Sequence, residues 1–424
     1  MTLCDLRNRL LPLFCVALVG GCASYTPPGQ VSFAFTSRAE TQSEGDVRVS
    51  AVVLSAEESK EVFGASLAKH KIQPVWLEIE NREDQRFTLM LLSIDRDYFA
   101  PSEAAWRSRG FGEKRAGQKM RYFYDQHIRV IVPPGETVSG FVYTNLDPGA
   151  KAFTVQLLGE YAAREFDFAM LVPGFEADFM QEQVQAVLAQ ADVREVDRDG
   201  LRSYLESLPC CVLGGDRKTP GDPLNLVIVG EGRRVLATLV HRGWDCTETI
   251  TWGNAWRTVM SSVFSIEYRT SPVSELYLFG RPHDAAFQKT RRDVDERNHL
   301  RLWRAPVDCE GVPVWVGQIS RDIGVKLSSK TFVTHKIDPV VDEARFYVTL
   351  DLVASGHVGA LAHVKGAGFA SMDTPRYNYT RDPYFTDGLR LVVFLGDHRV
   401  AYEAIEFLKW ETPYDRETVE HSGD

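Results

Sequence analysis

The chain has no Cys-x-x-Cys pair, no His-Glu-x-x-His, no Gly-x-Ser-x-Gly elbow and no phosphate-binding Gly-x-x-x-x-Gly-Lys loop. These absences remove the usual zinc-thiolate, metalloprotease, α/β-hydrolase and P-loop readings. A dinucleotide fingerprint is missing too, since Gly230 and Gly232 are followed by Arg233, Arg234 and Val235. Positive charge is short: 48 Lys and Arg face 58 Asp and Glu, for a net −10. A global attraction to nucleic acid is therefore excluded, and any anionic partner has to be met by a local patch. No apolar run beyond the first twenty residues approaches the roughly 20 residues that cross a bilayer. What remains is the composition of a folded protein, 44% apolar and 25% charged, and at 424 residues it is too long for one core. Two or three domains are expected, with no cofactor and no metal.

The start of the chain departs from this composition. Arg7 and Arg9 precede an apolar run from Leu10 to Val19 that is too short to span a membrane, the pattern of a signal peptide. It ends Val19-Gly20-Gly21-Cys22-Ala23, which resembles the lipobox of bacterial lipoproteins. The resemblance implies cleavage after residue 21, a diacylglyceryl group on the Cys22 thiol and acylation of its amine. Several acyl chains anchor stably where one does not. Ala23 in place of Asp implies transfer to the outer membrane, with residues 22–46 as lipidated tether and the body facing the periplasm. An ordinary signal peptide with a fortuitous cysteine is the alternative, against which charge, apolar run and small residues coincide. In that oxidising compartment one disulfide is expected among Cys210, Cys211, Cys246 and Cys309, with its connectivity left open.

From 47 to 170 apolar residues recur with period two, as in Val47, Val49, Ala51 and Val53, and Pro133-Pro134-Gly135 marks a turn. Short strands without βαβ spacing predict an antiparallel, immunoglobulin-like sandwich, although the Cys-Trp-Cys set of antibody domains is absent. An insertion between Tyr98 and Tyr124 predicts a helix from Pro101 to Gly110 and then a loop. Arg107, Arg109, Lys114, Arg115, Lys119 and Arg121 stand there against a single acid, Glu113, beside Trp106, Tyr122 and Tyr124. Lys114, Arg115, Lys119, Arg121, Trp106 and Tyr122 are thus candidates for holding an anionic lipid headgroup or glycan, set against a plain solvated insertion.

Residues 171–209 read as a helical connector broken near Asp197 to Gly200, residues 210–412 as an α+β domain with a mixed, largely antiparallel sheet, and 413–424 as a polar tail. The strands expected there include Leu276 to Phe279, His299 to Trp303, Val314 to Ile319, Val358 to Val364 and Leu389 to Leu395. A hairpin through Glu310-Gly311 is expected to join the second and third. Asp338, ahead of Pro339, opens a helix running to Val353.

The blocks GDPLNLVIVG, SPVSELYLFGR, ERNHLRLWR, VWVGQISRDIGV, THKIDPVVDEAR and DPYFTDGLR, in this order between Cys210 and Trp410, resemble the LssY C-terminal domain family. The resemblance implies a domain that often follows membrane phosphatase segments, and it carries no catalytic residues over. On the residues themselves, His299 and Arg301 alternate on one strand and Gln318 and Ser320 on its partner. If those faces coincide, His299, Arg301 and Gln318 converge as a catalytic candidate, with Asp322 orienting the imidazole and His335 as a second acid-base group. The competing expectation is a buried network in which Arg301 pairs with Asp322. Two function classes follow: an envelope lipoprotein with a binding or accessory role, its protein partner unknown, or a periplasmic hydrolase of a phosphorylated or ester substrate.

Overall fold

A computed structural model describes residues 25–29, 33–109, 116–175, 193–247, 275–290, 297–328 and 332–413, without the side chains of 116, 325–328 and 332–335. It is mostly β, with an antiparallel sandwich followed by a larger mixed sheet. In the sandwich one sheet orders Glu40–Glu44, Val47–Val53, Ile72–Asn81 and Thr137–Asn145, and the other orders Ile131–Val132, Phe87–Leu89, Ala150–Gly159 and Ala163–Leu171. The chain crosses between the sheets after Ile72–Asn81, after Ile131–Val132 and after Thr137–Asn145, an immunoglobulin-like order, and its other connections join neighbours within one sheet. Val47, Val49, Ala51 and Val53 meet Phe87, Phe153 and Phe166 in the space between the sheets, as the period-two pattern requires.

The outer face of the first sheet is covered as well. Val52, Trp76, Phe141 and Tyr143 point away from the sandwich core and pack against Phe35, Phe63 and Phe123. Ile72–Asn81 is consequently buried along nearly its whole length instead of at alternate positions. The covering helices are Ala56–Phe63, Pro101–Arg107 and Ala116–Gln126. The first carries a capping box between Ser55 and Glu58 and closes on Gly64 in the left-handed region. The insertion thus differs from the loop expected after Gly110, because a third helix buries Phe123 and half-buries Tyr122. Its run of basic residues had hidden that apolar spacing.

In the C-terminal part Leu226–Val229 lies parallel to Leu389–Leu395 and antiparallel to Val312–Ser328, which pairs in turn with Arg297–Cys309 and Phe332–Ile337. Helices Gly232–His241 and Val341–Val353 cover one face. Helix Arg198–Ser207 and a small sheet containing Cys211–Leu213 cover the other. The break expected at Asp197 to Gly200 is the N-cap of that helix, where the Asp197 carboxylate accepts from the Gly200 amide. Val184, Val187 and Leu188 of the expected connector lie outside the described residues. Among the described residues no helix is long and apolar enough to cross a membrane.

The two parts meet at Ala150, Leu171 and Phe175, which pack into the C-terminal core. Beside them, Asp167 of the sandwich accepts from Thr154 Oγ1 at 2.7 Å and His357 Nε2 at 3.1 Å, with His241 Nε2 at 4.0 Å and Arg234 at 3.9 Å. Burial opposes ionisation of Asp167, but the hydrogen bonds from His357 and Thr154 outweigh it and hold the carboxyl well below the usual range. Burial pushes the His241 imidazole down against the pull of Asp167. Both shifts have one sign for stability. The Asp167 contribution is present above the ordinary carboxylate pKa and lost in acid, and the His241 contribution is whole above 6.5 and lost as pH falls from there toward its lowered folded value. Asp167→Asn is expected to cost about 1–3 kcal/mol at pH 7 and to flatten the fall in melting temperature below the ordinary carboxylate value of 3.8, read by a pH series of thermal melts.

Candidate functional site

The site is laid out by one hairpin. Glu310 and Gly311, both with positive φ, form the two-residue turn joining Arg297–Cys309 to Val312–Ser328. Beyond a bulge between Arg304 and Asp308, the register places His299 opposite Ser320 and Arg301 opposite Gln318. Cross-strand partners share a face, so the two polar pairs do coincide. Leu300 and Leu302 point to the opposite side, into the core that also holds Ile319. On the polar side Trp303 and Val316 continue the same rows into the second apolar core. One face of the hairpin is therefore apolar near its turn and polar near its open end.

The polar groups engage one another. His299 Nε2 lies 2.7 Å from Asp322 Oδ2, with the two side chains 12% and 4% exposed. Arg301 donates to Gln318 Oε1 at 2.9 Å. Gln318 is buried, and its amide nitrogen reaches 3.4 Å from Asp222 Oδ2, whose other oxygen accepts from Asn378 at 2.8 Å. Burial pushes the Asp222 carboxyl up, against the Asn378 hydrogen bond and the Arg301 charge. His335 pairs through its backbone with Val325, and its side chain lies outside the described residues. Asp338 accepts from the Val340 amide just ahead of helix Val341–Val353.

A second polar node sits nearby and has no carboxylate in it. Arg390, fully buried, donates to the carbonyls of Leu224, Leu205, Leu208, Pro209 and Gly366. Burial brings its pKa down to about 10. Gly366 has φ 133°, and a Cβ there would lie 2.3 Å from the guanidinium, so only glycine admits the contact. Arg345 likewise holds Asp387 by two hydrogen bonds of 2.7 and 2.6 Å. Asp222, Asn378, Asp387 and Arg390 were not among the sequence candidates. Asp222, Asp387 and Arg390 nevertheless stand in the blocks GDPLNLVIVG and DPYFTDGLR.

Chemically, a carboxylate-oriented imidazole beside an arginine and an amide can move a proton and hold an oxyanion. Here those groups are turned toward each other. A cleft of about 430 Å³ opens elsewhere, near the hairpin turn, between Phe279, Trp315, Arg281 and Arg304. Among the described residues no three His, Cys, Asp or Glu side chains gather as a metal site.

The basic-aromatic candidates separate. Trp106 is exposed with Arg109 stacked 3.2 Å above its ring, and Arg107, Arg109 and His70 join it around a shallow depression of about 340 Å³. Arg121 is exposed midway along the third helix. Lys119 instead turns inward, 2% exposed, and donates to the Ser108 carbonyl at 2.7 Å, so it joins the two helices and is not presented to a ligand. Tyr122 donates to the Val62 carbonyl, and burial raises its pKa. Cys22, Lys114 and Arg115 lie outside the described residues.

The family model described as LssY C-terminus matches residues 182–389. This part of the chain belongs to the LssY C-terminal family. The match begins ahead of Cys210 and ends at Leu389, so it takes in the LssY hairpin, the Asp222 strand and Asp387 but stops one residue before Arg390. No curated protein matches the chain. For the LssY domain the raised carboxyl of Asp222 has a thermodynamic consequence. A raised folded pKa gives stability that is full below the ordinary value of 3.8 and shrinks as pH rises toward the folded one. Asp222→Asn is expected to lose less stability than the parent between pH 4 and pH 7, measured by urea unfolding at each pH. An identical pH slope in the two proteins would contradict the assignment.

Proposed function

We propose that this protein is a lipid-anchored envelope protein, held at the outer membrane by acyl chains on Cys22, whose periplasm-facing body serves as a binding or accessory factor. The observation that carries the non-catalytic half of this reading is the mutual engagement of His299 with Asp322, Arg301 with Gln318 and Asp222 with Asn378. Groups paired in this way stabilise a fold and present little to a substrate. The anchoring half rests on the lipobox-like Val19-Gly20-Gly21-Cys22 behind Arg7 and Arg9. Exposed Arg107 and Arg109 beside Trp106, with Arg121 exposed on the following helix, support contact with an anionic headgroup or glycan, since a cation stacked on an aromatic ring suits an interfacial site.

A hydrolase is the second reading, favoured by the 2.7 Å contact between His299 and Asp322, a geometry shared with acid-base dyads. Its substrate would be a phosphorylated or ester compound of the envelope.

Two experiments test the main reading. Cys22→Ser is expected to abolish incorporation of labelled palmitate and to release the protein from membranes, and undiminished labelling would remove the anchor. Replacing Arg107, Arg109 and Arg121 by Gln, in a form lacking the anchor, is expected to weaken binding to anionic vesicles in a cosedimentation assay. Parent binding should itself fall as salt rises. Equal binding by both forms would return this surface to a solvated face.

A further inference from the structure

Cys210 and Cys211 are joined by a disulfide, while Cys246 and Cys309 are buried outside any disulfide. A bridge between adjacent residues closes no loop of chain, and the chain-entropy stabilisation that distant bridges supply is nearly absent from it. The pair therefore stands apart from a structural staple. Its two sulfurs also have different surroundings. Cys211 is 6% exposed, and its sulfur lies 3.6 Å from the hydroxyl of Tyr384, itself 1% exposed. Cys210 stands at the surface with the exposed guanidinium of Arg376 donating to its sulfur at 3.5 Å. Gly368 keeps this space open, since a Cβ there would meet the Arg376 guanidinium and come within 3.1 Å of the Cys210 Cβ.

We infer that Cys210–Cys211 is a thiol–disulfide exchange site at which a dithiol reductant attacks Cys210, with Arg376 and Tyr384 as its positioning residues. The incoming thiolate bonds to Cys210 Sγ, the bond between the two cysteines breaks, and its electron pair leaves on Cys211 Sγ. Tyr384 is placed to donate a hydrogen bond to that leaving thiolate, which then takes a proton from solvent. The second thiol of the reductant attacks its own sulfur in the mixed disulfide and expels Cys210 as a thiolate beside Arg376. Two electrons have passed to the pair, and the reductant has become a disulfide. A cation beside a sulfur raises its thiolate fraction, and access selects which sulfur is attacked. Access places the first attack at Cys210, and the cation favours the departure of Cys210 as a thiolate in the second step. The other cysteines do not compete, because burial pushes the Cys309 thiol up to about 11 and Cys246 is buried.

The test uses the full chain purified in air, with maleimide labelling mapped by peptide mass spectrometry. Without reductant, Cys210 and Cys211 are expected to stay unlabelled. With dithiothreitol under native conditions both should label, while Cys246 and Cys309 do not. Cys211→Ser is expected to trap glutathione, added as its disulfide, at Cys210. Adding Arg376→Gln to that variant should slow maleimide labelling of Cys210 at pH 7 by about threefold or more, with an unchanged melting temperature. Labelling of the pair without reductant would overturn the inference. So would reduction only in step with exposure of Cys246 and Cys309, or an Arg376→Gln rate equal to the parent rate.

Discussion

The register set at Glu310 and Gly311 is the constraint on which the LssY domain depends. Side chains alternate along a strand, so a slip of one residue between the two long strands would carry either His299 and Arg301 or Gln318 and Asp322 into the core now filled by Leu300, Leu302 and Ile319. Burying that many polar groups among aliphatic side chains without partners is prohibitive. The opposite slip is blocked at Gly317, where a Cβ would already lie 2.9 Å from Leu302. The two faces thus specify the pairing together: one is apolar at Leu300, Leu302 and Ile319, and the other changes from apolar at Trp303 to polar at Arg301.

Much of this was legible in the sequence because it is local. Period-two alternation gives the sandwich strands, a two-residue turn gives the hairpin, and i to i+2 spacing puts His299 and Arg301 on one face. Contacts between distant segments were not legible. Asp222 meets Asn378 across 156 residues, and Arg390 reaches the carbonyls of Leu205 and Leu208 across 185 and 182. No periodicity encodes such pairs. Within the hairpin, Gln318 sits directly opposite Arg301, and Asp322 lies farther along the strand beside His299. Lys119 was read as a surface charge, but a lysine stem can lie along a helix face and deliver its ammonium to a buried carbonyl.

The domain handles its buried polarity in two ways. Around Asp222 and His299, side chains satisfy side chains, with acids and bases in close pairs. Around Arg390 a lone cation is solvated by backbone carbonyls alone, tying the end of helix Arg198–Ser207 to Leu224 and Gly366. Removing one member of either set leaves a buried group unsatisfied, which is costlier than the net worth of the bond itself. The functional reading turns on this, because a network that holds the fold together predicts loss of stability where a catalytic site predicts loss of turnover.

That difference is most directly read from the thermal melt of His299→Gln beside Asp322→Asn and the double variant. A structural pair predicts that each single change costs on the order of 1 to 3 kcal/mol, lowering the LssY-domain melting temperature by several degrees. It also predicts that the double variant loses less than the two single losses combined. A His299→Gln protein that melts with the parent, while losing a ligand or a hydrolytic activity the parent has, would contradict the account.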